Sequence, residues 1–443
     1  MASSQHPNSP VFDRFFQPAR EAFATSEAHY LCHRIPDEDY LAAGILRCLS
    51  SSRTGRDVAS LRSPFGQPKR LAVSLRSALQ NHGDFGALDI SVDHFFKAIQ
   101  SKRRLKNLAS INDGLARLMR LSADDPFASI SELNGFAIYA GDGHYHSAAV
   151  HDPKRLDRSG TMRKEAAGHF FLLDLRTHFL SHLTGTDQSG TRKREHDMHA
   201  MKRLPVDALR GGQPKGTKVI LAWDKAGIDF NWWYKVKRSS GLYFISREKE
   251  NMKLIRSGNR SFDREDHRNA GVVSDEYVGP GGGAGAMLRR ITYIDPIDGT
   301  TYVYLTTEMT LPPGILALIY KQRWDVEKTF DELKSKLVGK QAWGSSSIAK
   351  STQAMFLCLT HNLMVLLEEE LRRVERIDNA PERKRKAERK EKAEKSGANF
   401  VATALQRFTV RTLKFIRWLR NFVYRETSWE AAVARLRHVY ATF

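Results

Sequence analysis

The chain has 443 residues, 41% hydrophobic and 27% charged. That is long enough for about two or three domains with a sizeable core, and too apolar for a disordered polymer. Lys and Arg total 70 against 50 Asp and Glu, a formal charge of +20 with a pI near 9.8, which favours a polyanionic partner. Nucleic acid comes first, because each neutralised phosphate releases counterions. An anionic membrane surface fits less well, since the positive charge is spread along the chain instead of being gathered on one amphipathic helix. Cys32, Cys48 and Cys358 form no C-x-x-C pair, so neither a zinc knuckle nor a disulfide framework is indicated and a reduced cytosol fits. The opening "MASSQHPNSP" lacks a basic-then-apolar signal pattern. The longest apolar run, residues 355–367, is short for a bilayer span and includes a His and an Asn, so it reads as a buried helix.

In chain order, residues 1 to about 130 read as helical. "IPDEDYLAAGILRCL" starts with Pro36 and acids suited to a helix N-terminus. "SVDHFFKAIQSKRRLKNLASINDGLARLM" continues the pattern, its basic run at 102–106 being either a phosphate-contacting stripe or a solvated face. No helix-turn-helix signature is evident. Near Gly135 strands begin: "GFAIYAGDG" ends in Asp142, "GHFFLLDLRTHFL" holds a second strand, and "TKVILAWD" is a buried strand ending in Asp224. A basic helix is expected over "SGTRKREHDMHAMKRL", a helix over "FNWWYKVKRS" and a strand over "GLYFISR". Strands interleaved with helices predict an α/β core.

From about 248 to 310 the composition changes. "VGPGGGAGA" lacks G-K-[ST] and reads as a mobile loop, not a phosphate cradle. "RRITYIDPIDGTTYVYLTTEM" predicts a hairpin around Asp298-Gly299, and the whole segment a β-rich insertion. Two helices follow, "YKQRWDVEKTFDELK" and one beginning "SIAKSTQAMF". The charged block "PERKRKAERKEKAEK" is an exposed helix or linker, separating the core from the basic, aromatic tail "RFTVRTLKFIRWLRNFVYRE". That tail suits nucleic acid, a docking surface or core packing.

The helix at 320–334 carries polar residues its apolar pattern does not explain. With Tyr320 as zero and about 100° per residue, Arg323, Glu327 and Lys334 fall within a stripe roughly 60° wide, beside the apolar stripe of Ile319, Val326, Phe330, Leu333 and Leu337. Taken alone, Arg323 and Glu327 are an ordinary i, i+4 ion pair. Asp142 and Asp224 change the reading, because both end apolar strands, where α/β proteins hold ligands. Two such carboxylates and a Glu on a later helix can assemble a site for Mg²⁺ or Mn²⁺, hard ions that take oxygen ligands. Two such ions stabilise the attacking and leaving oxygens of phosphodiester cleavage. Arg323 offers a fork and Lys334 a point charge to phosphate.

The spacing Y-x₂-R-x₃-E-x₆-K over Tyr320, Arg323, Glu327 and Lys334 resembles the signature of the insertion-sequence-four family of DDE transposases, named for its "YREMT" motif. "AGDG" around Asp142 and "LAWDKAGID" around Asp224 resemble its two aspartate motifs. The resemblance runs from about residue 35 to 370. It implies a ribonuclease-H-like catalytic core interrupted by a β-rich insertion, with helical N-terminal and C-terminal regions. The expected division is a helical DNA-binding region at 1–130, core at 131–247, insertion at 248–310, core with the signature helix at 311–376, and a charged linker and basic tail at 377–443. It implies Asp142, Asp224 and Glu327 as catalytic ligands of two Mg²⁺ or Mn²⁺ ions, and Tyr320, Arg323 and Lys334 as DNA contacts. It further implies cut-and-paste movement through a hairpin, double-stranded terminal repeats and target DNA as partners, a homodimer on DNA, no membrane partner and a cytoplasmic, nucleoid-associated chain. Trp324 suits either base stacking or the core. Asp331 is an acid within the signature stretch, and no tryptophan lies in the hairpin just upstream, which departs from what a base-flipping device would need.

Two other readings stand beside it. One is a DNA-binding protein of the same fold without catalysis, which charge cannot separate from the enzyme but which the intact acid triad disfavours. "GHYH", with His144, His146 and nearby His151 and Asp152, is an H-x-H of the kind metal hydrolases use. Asp174 lies inside an apolar strand and reads as a satisfied buried carboxylate. "EHDMH" lacks the H-E-x-x-H order and reads as a surface face.

Overall fold

The computed structural model describes residues 9–24, 35–49, 92–377 and 413–441, apart from the short breaks 123–124, 157–159, 165–166, 187–196, 239–240, 282–286, 296–298, 338–340 and 424, plus the isolated positions 388, 391, 395 and 401. Four helices come first: α1 (Pro10–Ala24), α2 (Asp37–Leu49), α3 (Val92–Ala98) and α4 (Lys102–Ser122). Asp37, Glu38 and Asp39 occupy the first turn of α2, where the helix dipole favours them. Asp37 also accepts from Arg103 Nη1 at 2.5 Å and lies 3.1 Å from Arg104 Nε. The basic run on α4 is therefore divided: Arg103 and Arg104 tie α4 to α2, while Lys102 and Lys106 stay exposed.

The centre is a nine-stranded sheet. Its strands are β1 (Phe136–His146), β4 (Ala167–Asp174), β5 (Leu180–Gly185), β6 (Lys218–Trp223), β7 (Leu242–Arg247), β8 (Leu254–Asn259), β9 (Val272–Pro280), β10 (Leu288–Ile294) and β11 (Thr301–Thr306). The order is β5-β4-β1-β6-β7-β11-β10-β9-β8. The pairs β1/β6 and β6/β7 are parallel; the others are antiparallel. A small hairpin, β2 (Lys154–Leu156) and β3 (Met162–Lys164), lies between β1 and β4. The β-rich character of 248–310 is present, but its strands extend the central sheet: β11 pairs with β7, so one continuous ladder runs through the segment. The loop at 282–286 and Asp298 lie outside the described residues.

Helices α5 (Asp197–Arg203) and α6 (Phe230–Lys237) cover one face; α7 (Pro313–Gln322), α8 (Trp324–Asp331) and α9 (Ser347–Arg373) join the N-terminal helices on the other. Period-2 alternation divides β1 between the two cores. Ile138 and Ala140 face the larger, Ala137 and Tyr139 the smaller. Asp229 caps α6 by accepting from Trp232 N–H at 2.8 Å, and Ser346 caps α9 by accepting from Ala349 N–H at 3.2 Å. The apolar run 355–367 lies within α9, buried among α2, α4 and β5. Among the described residues no helix is long and apolar enough to cross a membrane. The tail contributes α10 (Leu413–Phe422) and α11 (Trp429–Ala441), whose Phe415, Trp418 and Trp429 are buried. These three aromatic residues thus pack inside. Most of the charged block at 381–395 lies outside the described residues.

Candidate active site

Asp142 is the seventh residue of β1, which continues to His146 because Gly143 to His146 still pair with β4, so the acid lies inside its strand and not at the expected end. Parallel pairing sets Ala140 opposite Ala222 and Gly141 opposite Trp223. One further step along both strands brings Asp142 beside Asp224, on the face that α7 to α9 cover. The residues around Asp142 are small for a reason. A Cβ on Gly141 would lie 1.6 Å from Trp223 Cζ3, and one on Gly143 would lie 2.9 Å from Phe170 Cε1. "AGDG" therefore lets a large ring lie across the opposite face of the strand that carries the acid.

The expected single helix over 320–334 is built in three pieces. α7 ends at Gln322, and the Arg323 N–H is shared between Ile319 O at 3.2 Å and Tyr320 O at 3.1 Å. α8 follows, and residues Glu332–Lys336 form a π turn in which Leu337 N–H donates to Glu332 O at 3.0 Å. A uniform 100° per residue therefore fails at the C-terminal end, because an i→i+5 turn holds more residues than an α turn. Periodicity still places Glu327 and Arg323 at the edge of the buried stripe.

Arg323 joins the helix to the sheet. Its Nη2 donates to Glu327 Oε1 at 2.5 Å, and its Nη1 lies 3.9 Å from Asp142 Oδ2. Its guanidinium lies over the Tyr320 ring, 5.6 Å from the centroid. The Arg323 side chain is 9% exposed, and its Nε and Nη1 are buried with no hydrogen-bond partner. Tyr320 is itself buried against Tyr304, centroids 5.0 Å apart. Burial raises the Tyr320 phenol above its usual range; the Asp224 charge adds to this, and the Arg323 and Arg247 charges oppose it.

Asp142 responds to the other two acids. Burial pushes the Asp142 carboxyl up to about 6; the Gly143 N–H, 2.7 Å away, and Arg323 pull it down, and Asp224 and Glu327 push it further up. Sheet and helix thus bring Asp142 and Glu327, far apart in sequence, to one guanidinium, with Asp224 near enough to act on Asp142. Among the described residues, no group of three or more His, Cys, Asp or Glu side chains forms a ready-made metal cage. The donor chemistry nevertheless suits a hard divalent ion: carboxylate oxygens beside a buried acid that lacks sufficient positive charge. Of the remaining expected contacts, Lys334 is exposed on the π turn, and Trp324 projects outward, 58% exposed. Asp331 is exposed as well.

The other candidate residues serve the core. His144 and His146 are fully buried on β1, with ring centroids 4.8 Å apart, and continue into His169 and His182, whose Nδ1 and Nε2 are 2.9 Å apart. Phe330 of the signature helix packs on His144, centroids 5.7 Å apart. Asp152 pairs with Lys350 at 3.0 Å and accepts from Ala149 N–H at 2.7 Å. Asp174 accepts from Arg176 N–H at 2.8 Å in the turn between β4 and β5. His199 is exposed, and Glu195 lies outside the described residues. Sequence patterns do not reveal the buried pair Glu332 and His361, 3.0 Å apart, or the contact between His178 and Asp325 at 3.7 Å. An acid and a His set among apolar helical neighbours were the available signal.

Residues 163–363 match the family model described as the transposase DDE domain, just under half of the chain. The matched span includes Asp224 and Glu327 and begins after Asp142. The protein y4zB of Sinorhizobium fredii, a transposase by name, is 25% identical over 146 residues, which is 32% of this chain and 40% of that protein. The chain therefore matches well under half of that relative's length. The cryo-EM structure of the piggyBac transposase synaptic complex with hairpin DNA is 11% identical and superposes with a TM-score of 0.37, over 98% of this chain and 86% of that one.

Proposed function

We propose that this chain is a DNA transposase of the insertion-sequence-four type, cutting and rejoining phosphodiester bonds at the ends of a mobile element. The observation that carries the reading is Arg323, held between Glu327 on the signature helix and Asp142 on β1, with Asp224 on the adjoining strand. The match to a transposase DDE domain over 163–363 supports it. So does the antiparallel meander β1, β4, β5 beside the parallel β6 and β7, with acids where β1 and β6 run side by side, an arrangement that suits a ribonuclease-H-like core.

Asp142, Asp224 and Glu327 would hold two Mg²⁺ or Mn²⁺ ions, which supply the charge that activates a water or 3′-hydroxyl and stabilises the leaving oxygen. The chain's own residues position the substrate. Arg323 presents its terminal nitrogens to the phosphate in a plane set by Tyr320 beneath it. Lys334 adds an exposed point charge, and Trp324 an exposed indole for an unstacked base. The reaction sequence is cut and paste. Water nicks one strand and frees a 3′-hydroxyl; that hydroxyl attacks the opposite strand to form a hairpin; water reopens the hairpin; the 3′-hydroxyl then joins to target DNA. Bringing two ends together calls for a homodimer on DNA, and the cell compartment is the nucleoid-containing cytoplasm.

The test is nicking of a duplex bearing the terminal repeat that flanks the gene, with Mg²⁺ or Mn²⁺. Glu327→Gln is expected to abolish cutting and leave DNA affinity unchanged. Cutting by this variant at the wild-type rate would remove Glu327 from the chemistry. A wild type that binds the repeat and never cuts would favour a binding protein of the same fold.

A further inference from the structure

The apolar run of α9 contains three fully buried polar side chains, Thr360, His361 and Asn362; Thr360 donates to Phe356 O within its own helix. Asn362 fastens the start of β5: its Oδ1 accepts from Leu180 N–H at 2.8 Å, and its Nδ2 donates to Leu180 O at 2.9 Å and to Asn112 Oδ1 at 2.8 Å. His361 reaches the other way. Its Nδ1 is 3.0 Å from Glu332 Oε1 and its Nε2 is 3.0 Å from His178 O. His178 has a φ of 57°, rare outside glycine, and terminates the turn that joins β4 to β5. One imidazole therefore connects the π turn of the signature helix to the sheet.

The hydrogen count is restrictive. A carbonyl only accepts, so Nε2 carries a proton and donates to His178 O. The contact between Nδ1 and the Glu332 carboxyl needs a further proton, on the nitrogen or on the oxygen. A side chain with one polar atom cannot serve both partners. The surrounding charges are Asp325, 3.7 Å from His178 Nε2 and 3.1 Å from Lys328 Nζ, together with Asp174, Arg176 and the mostly buried Lys336.

A π turn is a costly interruption of an α-helix and persists where side chains fix it. Here Glu332 opens the turn, Leu333 and Leu337 are buried, and Arg420 donates to Lys336 O. We propose that His361 is a positioning residue: it holds Glu332, and so keeps the π turn that sets the direction of Lys334 and the approach of Glu327 to the sheet. Without that anchor the turn would relax toward α geometry. The helix before the turn, with Glu327, and the chain after it would then be displaced relative to each other by about one residue step, roughly 100° and 1.5 Å, and Lys334 within the turn would be re-aimed. The activity arm of this inference rests on the transposase reading; the structural arm does not.

The experiment compares wild type, His361→Leu, His361→Gln and Glu332→Gln. Hydrogen exchange is read at the Leu337 amide and along α9, with nicking and affinity measured on the flanking-repeat duplex in Mg²⁺. Glu332→Gln is expected to retain Leu337 protection, because its amide N–H can donate to the unprotonated Nδ1. His361→Leu is expected to lose about tenfold or more of that protection while α9 stays protected, and to nick about 10- to 100-fold more slowly with affinity within about threefold. His361→Gln, which keeps one N–H donor group, is expected between them. Full protection and full nicking in His361→Leu would overturn the proposal. So would equal loss of protection across α9, which would mark a purely structural role. Absence of nicking by the wild type counts against the transposase reading alone, and the exchange at Leu337 still decides the positioning role.

Discussion

Arg323 binds Glu327 across one helical turn at 2.5 Å and approaches Asp142 of β1 to 3.9 Å, so a single guanidinium spans the two elements that carry these acids. Arg323→Ala removes the positive charge from the centre of the acid group and the fork offered to phosphate. The expected result is weaker binding of the cleaved end and a salt-dependence slope reduced by about one. Titrating the repeat duplex at several salt concentrations checks this; an unchanged slope would argue that Arg323 touches no phosphate.

Asp142 gives a pH prediction. Burial pushes its carboxyl up to about 6, above the roughly 3.9 of an unfolded chain. The folded state therefore binds this proton more tightly than the unfolded state. The stability it contributes is complete below about pH 4 and is lost as pH rises through about 6. At pH 7.5 the ionised carboxylate burdens the fold, and Asp142→Asn should relieve it by at most about 3 kcal/mol while eliminating nicking. Urea unfolding of both proteins from pH 4 to 8 checks this, with the difference expected to shrink to near zero at the acid end. A difference independent of pH would assign the effect to packing.

Gly141→Ala tests the close approach of Trp223. The added methyl would meet the ring at 1.6 Å, with β1 fixed between β4 and β6. Destabilisation of about 3 kcal/mol or more is expected. Denaturant titration gives the value; a loss under about 1 kcal/mol would show that the ring swings aside easily.

Asp37→Ala tests the link between α2 and α4. It would leave Arg104, 6% exposed, without its carboxylate, and destabilisation of about 3–5 kcal/mol is expected. A melting curve for the variant checks this. Little or no change in its salt-dependent DNA binding is expected, because Arg103 and Arg104 face the protein.

The positions of the candidate residues were partly legible because their signals are local. Asp142 and Asp224 close apolar runs; Asp224 directly follows β6, whereas β1 continues past Asp142 to His146, so only one of the two is a strand end. Glu327 and Arg323 sit at a fixed angle from Val326 and Phe330, and periodicity reports that angle. The π turn was not legible, because no residue type marks it; it depends on Glu332 meeting His361, 29 positions away. The extension of the sheet through β8 to β11 was also hidden. Exposed Ile255 and Arg256 and the glycine-rich stretch give that segment the composition of a separate unit, and the pairing of Tyr304, Leu305 and Thr306 with Arg247, Ser246 and Ile245 continues the sheet into it. The halves of the basic run at 102–106 differ for the same reason: the partner Asp37 is 66 positions from Arg103.

The parallel ladder between β1 and β6 also decides where adjustment can occur when a substrate arrives. Two of the acids ride on neighbouring strands at the middle of a broad sheet and cannot shift relative to each other without breaking backbone pairing. The third belongs to a jointed rod, interrupted on one side by Arg323 and on the other by the loosened turn at Glu332. On the proposed reading, accommodation of DNA would therefore fall to the helix, which meets the sheet through side chains such as Arg323 and not through backbone pairing.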